Sequence, residues 1–127
     1  INVTVVCRGL RGATTASENT KESIIEATTE LLNSLVKANS LKTEDLAASF
    51  FTTTTDLNSE FPAVAARQIG WGSVPLMNSH EMNVPGSLQK CIRVMILVNT
   101  SNGPEEMNHL YLRGAKVLRP DITGANQ

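Results

Sequence analysis

Cys91-Ile92-Arg93-Val94-Met95-Ile96-Leu97-Val98 is the stretch from which the fold can be read. With a period of two, Ile92, Val94, Ile96 and Val98 share one face, and Cys91, Arg93, Met95 and Leu97 share the other. Both faces are apolar apart from one residue, so the pattern predicts an interior strand covered on two sides. Arg93 is that residue. Its guanidinium cannot lose its proton, and burying it alone is expensive. Two readings stay open: a carboxylate of the protein pairs with it in the core, or it stands at the wall of a pocket that receives an anion.

Upstream, residues 2–8 alternate, with Val3, Val5 and Cys7 on one face, and read as a strand. If the extended backbone persists, Arg11 continues that face, although Gly9 and Gly12 and the Gly12-Ala13-Thr14-Thr15 run suggest a tight exit into a loop. A helix is predicted over residues 21–39. Asn19 and Thr20 are both suitable N-caps, and Glu22 favours the first turn. Ile24, Ala27, Leu31 and Leu35, widened by Ile25, Leu32 and Ala38, form its apolar stripe. Residues 41–46 allow one helical turn, and 47–54 read as a second strand with Phe50 and Phe51 on opposite faces. Asp56-Leu57-Asn58 turns the chain into a short helix over 62–68, with Pro62 at its start and Gly70 past its end.

A short strand over 73–77 contains Pro75, which confines it to an edge or a bulge. Residues 78–86 are polar and loop-like, and they lead into the Arg93 strand. Residues 104–112 read as a second long helix, with Pro104 near its first position. Residues 116–119 form a last extended piece, and 121–127 a tail with little to bury. The order is β-α-β-(short α)-β-β-α-β. This describes an α+β domain, a mixed β-sheet with helices packed on one face, spanning residues 1–127 as a single unit. A chain this short has no second helical layer for the sheet's other apolar face, so self-association is expected.

Composition narrows the function. A net charge of −1 over 127 residues supplies no field to attract nucleic acid or an anionic membrane. No apolar run is long enough for a membrane span, and no signal peptide precedes the first strand. Cys7 and Cys91 lie in apolar runs without a CxxC pair and read as reduced core residues of a cytoplasmic protein. His80 and His109 form no HExxH or Cys/His cluster, so no metal is expected. No phosphate-binding glycine loop and no marked nucleophile occur, so no cofactor and no triad are expected. What remains is Arg11, Arg67, Glu81, Arg93, Tyr111 and Arg119. Each has an ordinary structural reading alone. Together, four cations that could share a pocket with one carboxylate call for an anionic ligand.

The run Arg8-Gly9-Leu10-Arg11-Gly12-Ala13-Thr14-Thr15 resembles the opening signature of the monofunctional, Bacillus-type chorismate mutases, the trimeric α/β class. Cys91-Ile92-Arg93-Val94-Met95, His109-Leu110-Tyr111-Leu112 and Val117-Leu118-Arg119-Pro120-Asp121 resemble its later signatures, in order. Asp56-Leu57, Phe61-Pro62-Ala63 through Arg67, and Gly70-Trp71 fill the middle. The resemblance implies a cytoplasmic homotrimer in a pseudo-α/β-barrel, with sites between subunits. It further implies an isomerase that converts chorismate to prephenate on the route to phenylalanine and tyrosine. On the same resemblance, Arg93 faces the ether oxygen of the breaking bond, Glu81 accepts from the ring hydroxyl, and Arg11 and Tyr111 hold a carboxylate. Phe61, Ala63, Leu76, Met77 and Leu118 line the pocket, with Arg67 and Arg119 at its mouth. Asn78 stands where the family pattern has cysteine, and Val64 where it has lysine. Two other classes fit the same residues: a non-catalytic trimeric module sensing an anionic metabolite, and a small trimeric deaminase of reactive imines.

Overall fold

The helix predicted over 21–39 forms there in the computed structural model, which describes residues 4–120. This is α1, Lys21–Asn39. The Thr20 hydroxyl caps it by accepting the Ser23 N–H, and Ser40 ends it in the left-handed conformation with φ 51°. Asn19, the other candidate cap, instead binds Asn58 and Ser59 through its side chain and carbonyl. Ile24, Ala27, Leu31, Leu32 and Leu35 are fully buried, whereas Ala38 is exposed and falls outside the stripe.

The sheet has five strands: β1 Val6–Thr15, β2 Leu46–Thr53, β3 Leu76–His80, β4 Cys91–Thr100 and β5 Leu110–Tyr111. Their order is β3-β2-β4-β1-β5. The two central pairings are antiparallel and the two outer ones parallel, so the sheet is mixed. A short helix, α2 Ala63–Gln68, packs with α1 on one face, in a core that includes Leu10, Leu31, Leu35, Phe51, Val94 and Ile96.

β4 is central, as its sequence predicts, but one chain covers only one of its faces. Ile92, Val94, Ile96 and Val98 are buried, while Arg93 and Met95 are exposed. The two helices lie on the same side, so the other side of the sheet is open except at its Cys91 and Ala13 end, where Tyr111, Ala115, Leu88 and Leu118 pack. Cys7 lies on that open side and is exposed rather than in the core.

Four boundaries differ from the sequence reading. β1 does not exit at Gly12. It stays paired with β4 from Val6↔Thr100 to Thr15↔Cys91. Gly12 serves helix packing instead: a Cβ there would lie 2.7 Å from Leu35 Cδ1. The strand placed at 73–77 runs from Leu76 to His80, after Pro75 rather than across it; the Pro75 carbonyl accepts the Ser49 N–H. The long helix expected at 104–112 is one 3₁₀ turn, Pro104–Glu106, followed by β5. The Glu106 carboxylate accepts the Gly103 N–H and closes that turn, and Leu110 and Tyr111 then bury themselves by pairing with β1. Met107, Leu110 and Tyr111 have helical spacing, and tertiary pairing overrides it. The extended piece expected at 116–119 begins as a 3₁₀ turn, Arg113–Val117. Arg113 starts it in the left-handed region at φ 51°, held by Glu30, Glu26 and the Thr15 carbonyl. Residues 2–3 of the first predicted strand and the tail from 121 lie outside the described residues. Among the described residues no helix is long and apolar enough to cross a membrane.

Candidate active site

The register decides which side chains meet on the open face. One row across the strands runs Met77, Phe50, Met95, Arg11; the next runs Ser79, Thr52, Arg93, Ala13. Arg11 and Arg93 are therefore diagonal neighbours on adjacent strands, with backbones about 7–8 Å apart. Both side chains line the same cleft, and two like charges sharing a cleft favour an anion there.

Glu81 reaches Arg93 from just beyond β3. Its N–H donates to the Thr53 carbonyl at 2.8 Å, which extends the β2–β3 ladder by one residue and aims the side chain inward. Oε1 accepts the Met82 N–H at 2.9 Å, and Oε2 lies 3.4 Å from Arg93 Nη1. Arg93 is thus neither a sealed core pair nor an unpartnered cation. It makes one long contact with Glu81, and the two side chains are 44% and 36% exposed. Most of its hydrogen-bonding capacity faces the cleft.

That cleft has a volume of about 240 Å³ and is walled by Arg11, Phe50, Thr52, Glu81, Met95 and Tyr111 around Arg93. An adjoining hollow of about 270 Å³ shares Thr52, Glu81 and Arg93 and extends over Val84, Leu88, Cys91 and Leu118. Tyr111 is buried against Ala13 and Ala115, with Leu88 and Leu118 packed on the same cluster. No described carboxylate lies within ion-pair distance of the Arg11 guanidinium. Burial, above all, pushes the Cys91 thiol up to about 11, with Glu81 and Asp56 adding to it against Arg93. A thiol held there stays protonated at neutral pH and is no nucleophile. The site therefore offers fixed positive charge, one oriented carboxylate and a phenol in a largely apolar hollow. It suits binding and electrostatic stabilisation of an anion.

Most of the remaining candidates lie elsewhere in the single chain. Phe61 and Asn78 border a separate cavity of about 310 Å³ with His80, on the outer flank of β3. The Asn78 side chain accepts the Ala63 N–H at 3.0 Å, so it caps α2 from across the sheet edge. Ala63 is fully buried in the core, and Leu76 packs against that core. Met77 is 60% exposed on the open face, at the far edge from Arg11. Arg67 is exposed at the end of α2. Leu118 joins the Arg93 hollow, and Arg119 acts on His109.

Two residues near the cleft escaped the sequence reading. Thr52 stands opposite Arg93 in the register and lines both hollows, hidden by its place in a run of four threonines. His109, read as part of a helix, instead precedes β5 and accepts the Arg11 N–H on Nδ1 at 3.0 Å. The His109–Tyr111 spacing of two, read as strand rather than helix, would have placed both on one side.

Comparison with known proteins identifies the family. Residues 7–122 match the family model "Chorismate mutase type I". The chain is 51% identical over 119 residues to chorismate mutase AroH of Thermus thermophilus, covering 93% of this chain and 98% of that one. It is 42% identical over 120 residues to chorismate mutase AroH of Bacillus subtilis, covering 94% of each. Among solved structures, a chorismate mutase from Clostridium thermocellum superposes with a TM-score of 0.85 at 48% identity, covering 87% of this chain and 98% of that one. An arginine-lined cleft on the open side of a mixed sheet, with a family match over nearly the whole chain, leads to one assignment: this protein belongs to the type I chorismate mutase family.

Proposed function

We propose that the Arg93 cleft is where this chorismate mutase, an isomerase, rearranges chorismate to prephenate. The reaction is an intramolecular Claisen rearrangement: one C–O bond breaks as one C–C bond forms. It needs no nucleophile or proton shuttle. It needs the substrate held in a compact, chair-like conformer and the negative charge on the departing ether oxygen stabilised. Arg93 supplies the second requirement, because a guanidinium fixed on a central strand does not reorient as charge develops. Glu81 both steadies Arg93 and accepts from the substrate's ring hydroxyl. Arg11 and Tyr111 hold a carboxylate. The observation that carries this reading is the Arg93–Glu81 contact at 3.4 Å standing open in a cleft that also contains Arg11.

The finer assignment is a homotrimer with each site completed by a neighbour. Phe50, Met77 and Met95 leave the open sheet face apolar and exposed, and such a face is normally covered. Phe61, Arg67 and Asn78 do not reach the Arg93 cleft of their own chain, which supports their lining a neighbour's site. Ala63 and Leu76 take part in that lining through the backbone they fix, and Met77 and Leu118 through their side chains. Arg119 stands at the mouth. The unpaired cysteines agree with a reducing, cytoplasmic setting.

Loss of chorismate's ultraviolet absorbance tests the reading. The protein should accelerate that loss, and Arg11→Ala should raise KM at least as much as it lowers kcat. An unchanged KM removes Arg11 from carboxylate binding. Sedimentation equilibrium should give three chains, and an active monomer would overturn the shared site.

A further inference from the structure

Arg11 sits where the β1–β5 ladder stops. β5 pairs with β1 only through Gly12↔Leu110 and Ala13↔Tyr111, so no strand residue lies beside the Arg11 amide on that flank. On the other flank Arg11 faces Met95 of β4. A backbone N–H left unpaired there would cost free energy comparable to a lost hydrogen bond, and the side chain leaves the same residue's Cα. His109 Nδ1 takes that N–H at 3.0 Å, in the place a longer β5 would have filled with a carbonyl. Because a backbone amide can only donate, Nδ1 is the acceptor and the ring proton sits on Nε2. Burial lowers the pKa of this ring below the ordinary 6.5, and the charged groups acting on it, Arg11 and Arg119, are both cations that add to the effect. The ring thereby stays neutral and keeps its acceptor at neutral pH. His109 lines neither hollow around Arg93, so it does not touch the reacting atoms.

We infer that His109 is a positioning residue for the rearrangement: its imidazole terminates the β1–β5 ladder and fixes the Arg11 backbone, so that the Arg11 guanidinium is aimed at a substrate carboxylate before substrate arrives. The inference rests on the assignment of Arg11 as carboxylate anchor. It gives Arg11, with which no described carboxylate forms an ion pair, a fixed backbone from which to reach over the open face.

A double-mutant cycle on the enzyme tests it. His109→Leu removes the acceptor and should raise KM by about 5–150-fold, the range for leaving one amide unpaired, with a smaller change in kcat. His109→Asn places an amide oxygen near the position of Nδ1 and should restore KM to within about threefold. In an Arg11→Ala background, His109→Leu should change KM by less than about twofold, because the two residues act as one unit. A full KM penalty repeated in that background, or no KM change from His109→Leu alone, overturns the inference. If the leucine variant does not fold, His109→Asn is compared with His109→Gln, whose oxygen sits at the reach of Nε2. Asn retaining KM while Gln raises it supports the positioning role; the reverse order sinks it. An Arg11→Ala enzyme with unchanged KM defeats the anchor assignment itself, whereas a raised KM with an additive cycle defeats only the role of His109.

Discussion

Replacing Arg93 with alanine distinguishes a structural from a catalytic arginine, because each puts the loss in a different measurement. As a structural group, Arg93 makes one contact with Glu81 at 3.4 Å, between side chains 44% and 36% exposed. An ion pair this open contributes about 0.2–1 kcal/mol after solvent screening. Its removal should lower the melting temperature by less than about 5 °C in a domain of this size. As the group facing the ether oxygen, Arg93 stabilises charge present only in the transition state. Losing one such preorganised donor costs about 10²–10³ in kcat. The expected result is therefore a folded protein, melting near the wild type, whose turnover of chorismate has fallen by at least that factor. Arg93→Lys should recover little, since an ammonium keeps the charge but not the planar fork that faces Glu81 and substrate together. Initial rates followed by chorismate absorbance, with thermal melts on the same preparations, decide the matter. Near-normal kcat in the alanine variant would refute the assignment. So would a melting shift large enough to leave the protein unfolded at the assay temperature, since unfolding alone would then explain the lost rate.

Further predictions concern packing, pH and the sheet edge. In Gly12→Ala the new methyl lies 2.7 Å from Leu35 Cδ1, 3.1 Å from Val94 Cγ1 and 3.2 Å from Leu31 Cδ1. Both leucines are fully buried. Overpacking of this kind costs about 1–3 kcal/mol, so the urea midpoint should fall, and an unchanged midpoint would show that α1 can lift off the sheet. The pKa of His109 is lowered in the folded state, so the unfolded chain binds the proton first. Its contribution to stability is full above pH 6.5 and is lost as pH falls through 6.5 toward the lower folded value. Melting temperature should drop more steeply over that window in the wild type than in His109→Asn, and parallel curves would contradict the lowered pKa. Asn78→Ala removes the acceptor for the Ala63 N–H and should cost about 1 kcal/mol, read as a lower melting temperature. No loss of stability would mean that the cap is made by another group.

Local chemistry made much of this fold legible. Alternation in residues 91–98 marks β4, and the Thr20 cap with the Ile24–Leu35 stripe marks α1, because period and capping are properties of a few neighbouring residues. Arg93, Glu81, Arg11 and Tyr111 could be named from their residue types and from the RGLRGATT resemblance, and the folded chain gathers them around one cleft. The region from Met107 to Val117 was not legible. Its apolar spacing suits a helix, and only the free edge of β1 turns Leu110 and Tyr111 into a strand.

By itself, then, the sequence determined the mixed sheet with one helical layer, the family, and which charged residues were candidates for a site. Tertiary structure decided where those charges stand: the register that makes Arg11 and Arg93 diagonal neighbours, the reach of Glu81 from beyond β3, and the His109 bond that ends a ladder. The reason is physical. Periodicity and capping act over a few residues, whereas strand register and the termination of a ladder depend on partners up to about a hundred positions away, as from Arg11 to His109 at a separation of 98.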